Sequence, residues 1–175
     1  YKEIEKNKEI NAYLTKGNAN LGQLGFTDHS QAHCVQVAHQ AGKILKRFGY
    51  SEHEIELAKI AGYMHDIGNA INRTHHAEYG ALLANELLKD TDMTLENRIT
   101  VVSAIGNHDE STGSPVDVIS AALIIADKTD VRRSRVRQKE RSAFDIHDRV
   151  NYAVTDSKLK IAEAVSYTHL TLPTT

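Results

Sequence analysis

His33, His65, Asp66 and Asp127 carry side chains that can act together on one divalent cation, because imidazoles and carboxylates without thiolates suit Mn, Fe, Co or Zn. His76 and His108 extend the same set. Each falls on, or beside, an apolar stripe with helical spacing. His33 precedes Val37 by four residues on the line to Ala41, Ile44 and Phe48, while His65 follows Ala61 by four and Asp127 follows Leu123 by four. His76 precedes Gly80 by four, on the line to Leu83 and Leu87, and His108 follows Ile105 by three. Residues three or four apart share a helix face, so these groups point toward the core from helix ends. Asp66 lies about 100° round the helix from His65 and reaches the same place from the turn at Ile67-Gly68. A buried carboxylate has to be paired or metal-bound. A satisfied core or capping histidine accounts for any one of these residues alone; a metal accounts for His33, His65, Asp66 and Asp127 at once.

The elements that must hold these groups read as helices. Lys2 to Lys16 form a charged leading helix, and a long amphipathic helix spans about 28–48, stopped by Gly49. Ser51 with Glu54 makes a capping box for a helix that turns Ile55, Ala58, Ala61 and Met64 inward and ends near Gly68. Another begins at Thr74 or His75 and buries Gly80, Leu83, Leu87 and Leu88. Thr94 caps a further helix, with Ile99, Val102 and Ile105 spaced for burial. Pro115 marks the start of the next, with Val116, Ile119, Leu123 and Ala126 on its stripe. The fold class is all-α, a bundle of five or six core helices in a single domain over residues 1–164, with the metal-site core at about 26–130. Lys158 to Ala164 reads as helical. The run VSYTHLTLPTT from Val165 shares none of that patterning; it resembles the translation of a sequencing adapter, which makes 165–175 a non-native tail, puts the natural C-terminus beyond it, and removes His169 from the site.

Composition limits the partners. A formal net charge of −2 argues against a chain-wide nucleic-acid or membrane binder, so any anion site is local. The single Cys34 excludes an intrachain disulfide, and no run approaches the roughly 20 apolar residues that span a bilayer; a reducing cytoplasm is the expected compartment. The segment DKTDVRRSRVRQKER is basic on nearly every side of a helical wheel, so it is not a core helix. Arginine forks match phosphate geometry, which makes Lys128, Arg132 and Arg133 phosphate-binding candidates; a solvated or subunit-facing segment is the alternative and leaves a homo-oligomer open. No aromatic residue interleaves the arginines, which argues against nucleic acid as the partner.

His33, then His65-Asp66 within YMHDIG, then Asp127 within IIADKTD, together resemble the HD-domain metal-dependent phosphohydrolase superfamily. HHAEYG with His76, and NHDE with His108, resemble its two-metal subgroup, which includes the HD-GYP phosphodiesterases. The resemblance implies that His33, His65, Asp66 and Asp127 hold a first metal. Asp66 would bridge to a second, completed by His76 and His108, with Asp109 as an extra ligand and His75 as the weaker of its pair. It also implies that His65 and Asp66 serve catalysis: metal-bound hydroxide would hydrolyse a small phosphate ester, a nucleotide above all. Three features depart from the pattern. HDIGN has Asn69 where lysine is frequent, which transfers the phosphate contact to Arg73 or Lys128; DESTGSP lacks the GYP signature; and NHDE has one histidine in place of two. A diiron oxygenase with the same ligands, or a regulatory module with a structural metal, are the competing readings. His29 is placed at the pocket mouth, as ligand or bystander, and His147-Asp148 reads as a local structural pair.

Overall fold

Ser51 accepts from the Glu54 backbone N–H while the Glu54 side chain caps Ser51, and the helix that follows, α4, spans Glu52–Met64. The computed structural model describes residues 1–138, 140, 142, 144, 146–161 and 166–171. In chain order the described helices are α1 (Lys2–Lys6), α2 (Lys8–Gln23), α3 (Gln31–Arg47), α4, α5 (His76–Leu88), α6 (Leu95–Gly106), α7 (Val118–Thr129) and α8 (Ile146–Ala153). Short 3-10 turns occupy Ile67–Ala70 and Arg133–Arg135. One apolar core runs from Ile10 and Leu14 of α2 through α3 and α4 to Ala84 of α5, Ile105 of α6 and Leu123 of α7. The domain is therefore an all-α bundle. No helix among the described residues is long and apolar enough to cross a membrane.

Helices α3 and α4 set the position of the site. They are joined by a tight turn in which Gly49 adopts a left-handed φ of +77° that a side chain would strain. The two helices therefore run antiparallel and pack through small residues, Ala38, Ala41, Ala58, Ala61 and Gly62, all buried. A Cβ on Gly62 would lie 2.8 Å from the Ala38 Cα. That close approach brings the first turn of α3, with His33, beside the last turn of α4, with His65. Gly68 does the same for α5: a Cβ there would sit 2.0 Å from the His76 carbonyl oxygen and 2.5 Å from the Gly80 nitrogen. The turn after Asp66 can meet the start of α5 only as glycine.

Several expectations shift when the helices pack. The leading helix breaks at Asn7, whose side chain accepts from the Glu9 and Ile10 N–H groups, and the resumed helix α2 runs to Gln23. Phe48, Ile99 and Val116 are exposed. In α6 the buried face is Val101, Ala104 and Ile105, so the helix is rotated from the Ile99-Val102-Ile105 line. Pro115 lies outside its helix, because Asp117 caps α7 by accepting from the Ser120 N–H. Lys158 to Ala164 is not helical where described: β1 (Asp156–Ile161) pairs antiparallel with β2 (Ser166–Thr171), from Asp156 opposite Thr171 to Ile161 opposite Ser166. The period-two pattern of that strand is visible, with Leu159 packed toward the core and Lys158 and Lys160 exposed. Residues 162–165 and 172–175 of the segment read from the sequence as helix and tail lie outside the described residues.

Gly68→Ala is expected to cost more than about 2 kcal/mol, a core backbone clash, read as a fall in the denaturation midpoint. A Gly68→Ala chain as stable as the wild type would refute the close packing of this turn on α5.

Candidate metal centre

Five helix ends and one turn converge on a single point. His33 enters from the first turn of α3, His65 from the end of α4, and Asp66 from the residue before the 3-10 turn. His76 opens α5, His108 follows α6, and Asp127 comes from the last turn of α7. His33, His65, Asp66, His76 and His108 are all buried, and Asp127 keeps 19% of its side chain exposed. The six residues of the sequence reading are thus neighbours in space.

Hydrogen bonds decide which nitrogen each ring offers. The His65 Nδ1 lies 2.8 Å from the Gly62 carbonyl, the His108 Nδ1 2.7 Å from the Ile105 carbonyl, and the His76 Nδ1 3.1 Å from the Arg73 carbonyl. The His33 Nδ1 lies 2.7 Å from the Asp130 Oδ2. Carbonyls and carboxylates only accept, so each Nδ1 carries the hydrogen and each Nε2 keeps a lone pair. His33 Nε2 and His65 Nε2 then face one another at 3.3 Å, and two lone pairs at that distance repel unless a proton or a cation stands between them. Asp127 Oδ1 is 3.3 Å from His33 Nε2 and 3.7 Å from His65 Nε2. Asp66 Oδ2 is 3.6 Å and 3.2 Å from the same two atoms. Ligand atoms round a four-coordinate divalent ion with bonds of about 2.1 Å stand roughly 3.4 Å apart. The facing atoms form two groups that could hold an ion, each with its atoms within 4.8 Å of one another: His33, His65 and Asp127, and His65, Asp66 and His108.

The same four residues need a positive charge. Asp66 Oδ2 is a buried oxygen with no hydrogen-bond partner, a costly state for a carboxylate. Burial opposes protonation of His65, yet the Asp66 and Asp127 carboxylates outweigh it and push its pKa up to about 10. Burial likewise opposes charge on Asp66 and Asp127, but the imidazoles hold both well below the usual carboxylate range. His108, where burial dominates, is held down to about 4. A proton on His65 supplies the missing charge when nothing else does; a divalent cation supplies it without leaving lone pairs opposed.

The other sequence candidates separate into two groups. Arg73 and Lys128 line the mouth, with His29, in a narrow pocket of about 40 Å³ beside Asp66 and His108. This pocket opens into a cleft of about 380 Å³ walled by Phe26, Ile146 and His147. Lys128 pairs with Glu110 there. His29 donates from Nδ1 to the Thr27 carbonyl and packs edge-on against His33 at 5.4 Å. Asp109 stands 3.3 Å from the His76 Nδ1. The second group is turned elsewhere. Arg132 pairs with Asp130 through Nε at 2.6 Å, and Arg133 donates to the Tyr152 carbonyl and covers that ring at 4.8 Å. His75 takes a left-handed φ of +59° and leads to Glu78 at the surface. Asp148 of the local pair is buried in α8. Cys34 is buried and its thiol is pushed well up by that burial, which suits packing.

Sequence reasoning missed Asp130 and Arg135. Asp130 closes α7, accepts from His33, and is held by Arg132 and by Arg135 at 3.9 Å. Arg135 is buried and donates to the Asp28 and Asp130 carbonyls. The second aspartate of ADKTD was visible as a motif residue, but its role as partner of His33 Nδ1 spans 97 positions and has no local signal.

Asp130→Asn keeps the shape and removes the charge that makes the His33 ring a stronger donor to metal. Divalent-ion affinity should fall about tenfold in a chelator-competition titration, with the helical circular dichroism unchanged; an unaltered affinity would show that Asp130 does not act on the site. Because His65 carries its proton up to about pH 10 in the free site, metal must displace that proton at neutral pH. Affinity should therefore rise with pH between about pH 6 and pH 9, with release of about one proton per ion bound. Calorimetry in buffers of different ionisation enthalpy reads this, and proton uptake would contradict it.

An uncharacterized protein of Methanocaldococcus jannaschii is 28% identical, over 84% of this chain and 65% of its own length. Ribonuclease Y of Aster yellows witches'-broom phytoplasma is 33% identical over 68% of this chain and 22% of its own, and ribonuclease Y of Campylobacter concisus 29% identical over 83% and 28%. The chain thus spans about two thirds of the first relative and between a fifth and a third of the others. None of the solved structures compared with the chain is significantly similar to it. The HD domain model matches residues 31–134, more than half of the chain and all six ligand-type residues, and on that match the chain belongs to the HD domain family.

Proposed function

We propose that this chain is a metal-dependent hydrolase of phosphate esters, with a nucleotide or a related phosphomonoester or phosphodiester as its substrate. The observation that carries the reading is a pair of buried or nearly buried His–Asp groups that share His65, namely His33, His65 and Asp127, and His65, Asp66 and His108, each with its atoms within 4.8 Å of one another. They stand beside a cleft edged by Lys128 and Arg73. The ribonuclease Y relatives support a phosphodiester as one of the bonds attacked.

A divalent ion in this place, when bound, acidifies water and neutralises phosphate oxygens. The chain's own residues do the rest. His33 is held in register by Asp130, and His65 and His108 by backbone carbonyls, so the ligand atoms lose little freedom on binding. Lys128 and Arg73, both lining the narrow pocket, offer charge to the non-bridging oxygens of a phosphate entering from the cleft. Phe26 and Ile146 give that cleft apolar walls against which the organic part of an ester can rest. No thiol or hydroxyl of the chain is needed as nucleophile.

The test is metal analysis of the purified protein coupled to a panel of phosphomonoesters, phosphodiesters and nucleotides. His65→Ala and Asp127→Ala should each lower hydrolysis at least about a hundredfold, as loss of a metal ligand does, and Lys128→Ala should raise KM more than it lowers kcat. Turnover that survives His65→Ala or Asp66→Ala would remove the metal mechanism. Iron at two per chain with oxygen consumption and no phosphate release would favour the oxygenase reading of the same ligands.

A further inference from the structure

We infer that Arg73 and Asn69 cover the second cation position of this centre, so that the domain holds one divalent ion firmly and admits a second only weakly. The inference rests on the metal reading above and concerns how many ions the site takes. At the first position His33 Nε2 and His65 Nε2 stand 3.3 Å apart, Asp127 Oδ1 and Asp66 Oδ2 each lie within 3.7 Å of both, and among the described residues no cationic or amide side chain donates to these atoms. The atoms that a second ion would need are treated differently. Asp66 Oδ1 accepts from the Asn69 Nδ2 at 2.7 Å, and Asn69 also ties the Asp66 carbonyl at 3.0 Å.

His76 is covered too. Its Nδ1 lies 3.1 Å from the Arg73 carbonyl and 3.3 Å from the Asp109 carboxylate, both acceptors only, so Nδ1 is the protonated nitrogen. Its Nε2 lone pair is then free, and the Arg73 guanidinium stands 3.3 Å from it as donor. The same guanidinium lies 3.5 Å from the Asn69 Oδ1 and over the Phe26 ring at 5.6 Å, which steadies it there. Asn69, in the 3-10 turn, and Arg73, in the loop before α5, are joined by the contact of guanidinium and amide and act as a pair. A guanidinium stays charged at any pH the protein meets, so this position already holds a fixed positive charge next to Asp66. An ion entering must displace the donor from His76, part Asn69 from Asp66, and overcome that charge. Of the ligand atoms particular to the second position, His108 Nε2 is left with no donor described. The cation beside the phosphate on this side is the arginine, in the place a second metal would take.

The experiment is manganese titration of the whole chain, by calorimetry and by electron paramagnetic resonance, for wild type, Arg73→Met, Arg73→Lys and Asn69→Ala. Methionine keeps an apolar stem over Phe26 while removing charge and donor, and circular dichroism checks each fold. The wild type should bind one Mn²⁺ tightly and a second at least about tenfold more weakly, the scale on which groups behind the ligands tune affinity. Arg73→Met should raise the second affinity about tenfold and produce the exchange-coupled signal of two neighbouring ions; Arg73→Lys, which retains charge, should not, and Asn69→Ala should fall between. Two equally tight ions in the wild type, or a Met variant that still binds one, overturns the inference and leaves the metal reading intact. No bound ion in any of the chains overturns both.

Discussion

Two carboxylates placed at the inner end of a helical bundle create a demand for positive charge that the rest of the domain is built to satisfy. Asp66 and Asp127 sit among imidazoles with little or no water around them, and a buried charge without a partner costs several kcal/mol after relaxation. Protonating the acids would remove the cost, but the surrounding rings keep both pKa values low. Charge must therefore come from outside the carboxylates, as a proton on His65 or as a metal ion. The packing of α3 on α4 through alanines and Gly62, and the backbone contact of Gly68 with α5, bring these side chains together without any ion. Core energetics fund the preorganisation: small side chains at the α3–α4 crossing give up apolar area for proximity.

Behind the ligands lies a second arrangement that is as specific as the first. Asp130 aligns His33, and Arg135 joins Asp130 to the Asp28 carbonyl, linking the end of α7 to the chain entering α3. Arg135 is buried and every nitrogen it places there has to be matched, so it rigidifies more than the half-exposed Arg132, whose pairing is partly screened by solvent. The basic segment after α7 is thereby split by depth. Some of its arginines hold the protein together, while Lys128 lines the narrow pocket with Arg73.

Much of this was legible in the sequence. Helix starts followed from capping chemistry, as at Ser51 and Thr94, because those signals act within a few residues, although the break at Asn7 and the last helix, α8, were not read from the sequence. That His33, His65, His76, His108 and Asp127 point inward was legible for the same reason, since they lie at i±3 or i±4 from apolar-stripe positions. Phe48, Ile99 and Val116 were assigned to the core and are not in it: periodicity gives the existence of a stripe, while which edge of it is covered depends on the neighbouring helix. Lys158 to Ala164 was read as helix, whereas Asp156–Ile161 is a strand whose partner is Ser166–Thr171, and pairing across strands is not encoded in local propensity.

By itself the sequence determined which imidazoles and carboxylates face inward, their helical faces and the all-α class, since each depends on local spacing and on side-chain chemistry. Only the tertiary structure decided which ring nitrogen is offered, that Asp130 stands behind His33, that Arg132 and Arg133 turn from the cleft, and that Asn69 and Arg73 reach Asp66 and His76. The physical reason is hydrogen-bond direction. A donor is satisfied by whichever acceptor packing brings within about 3 Å, and that acceptor is often on another helix, far along the chain.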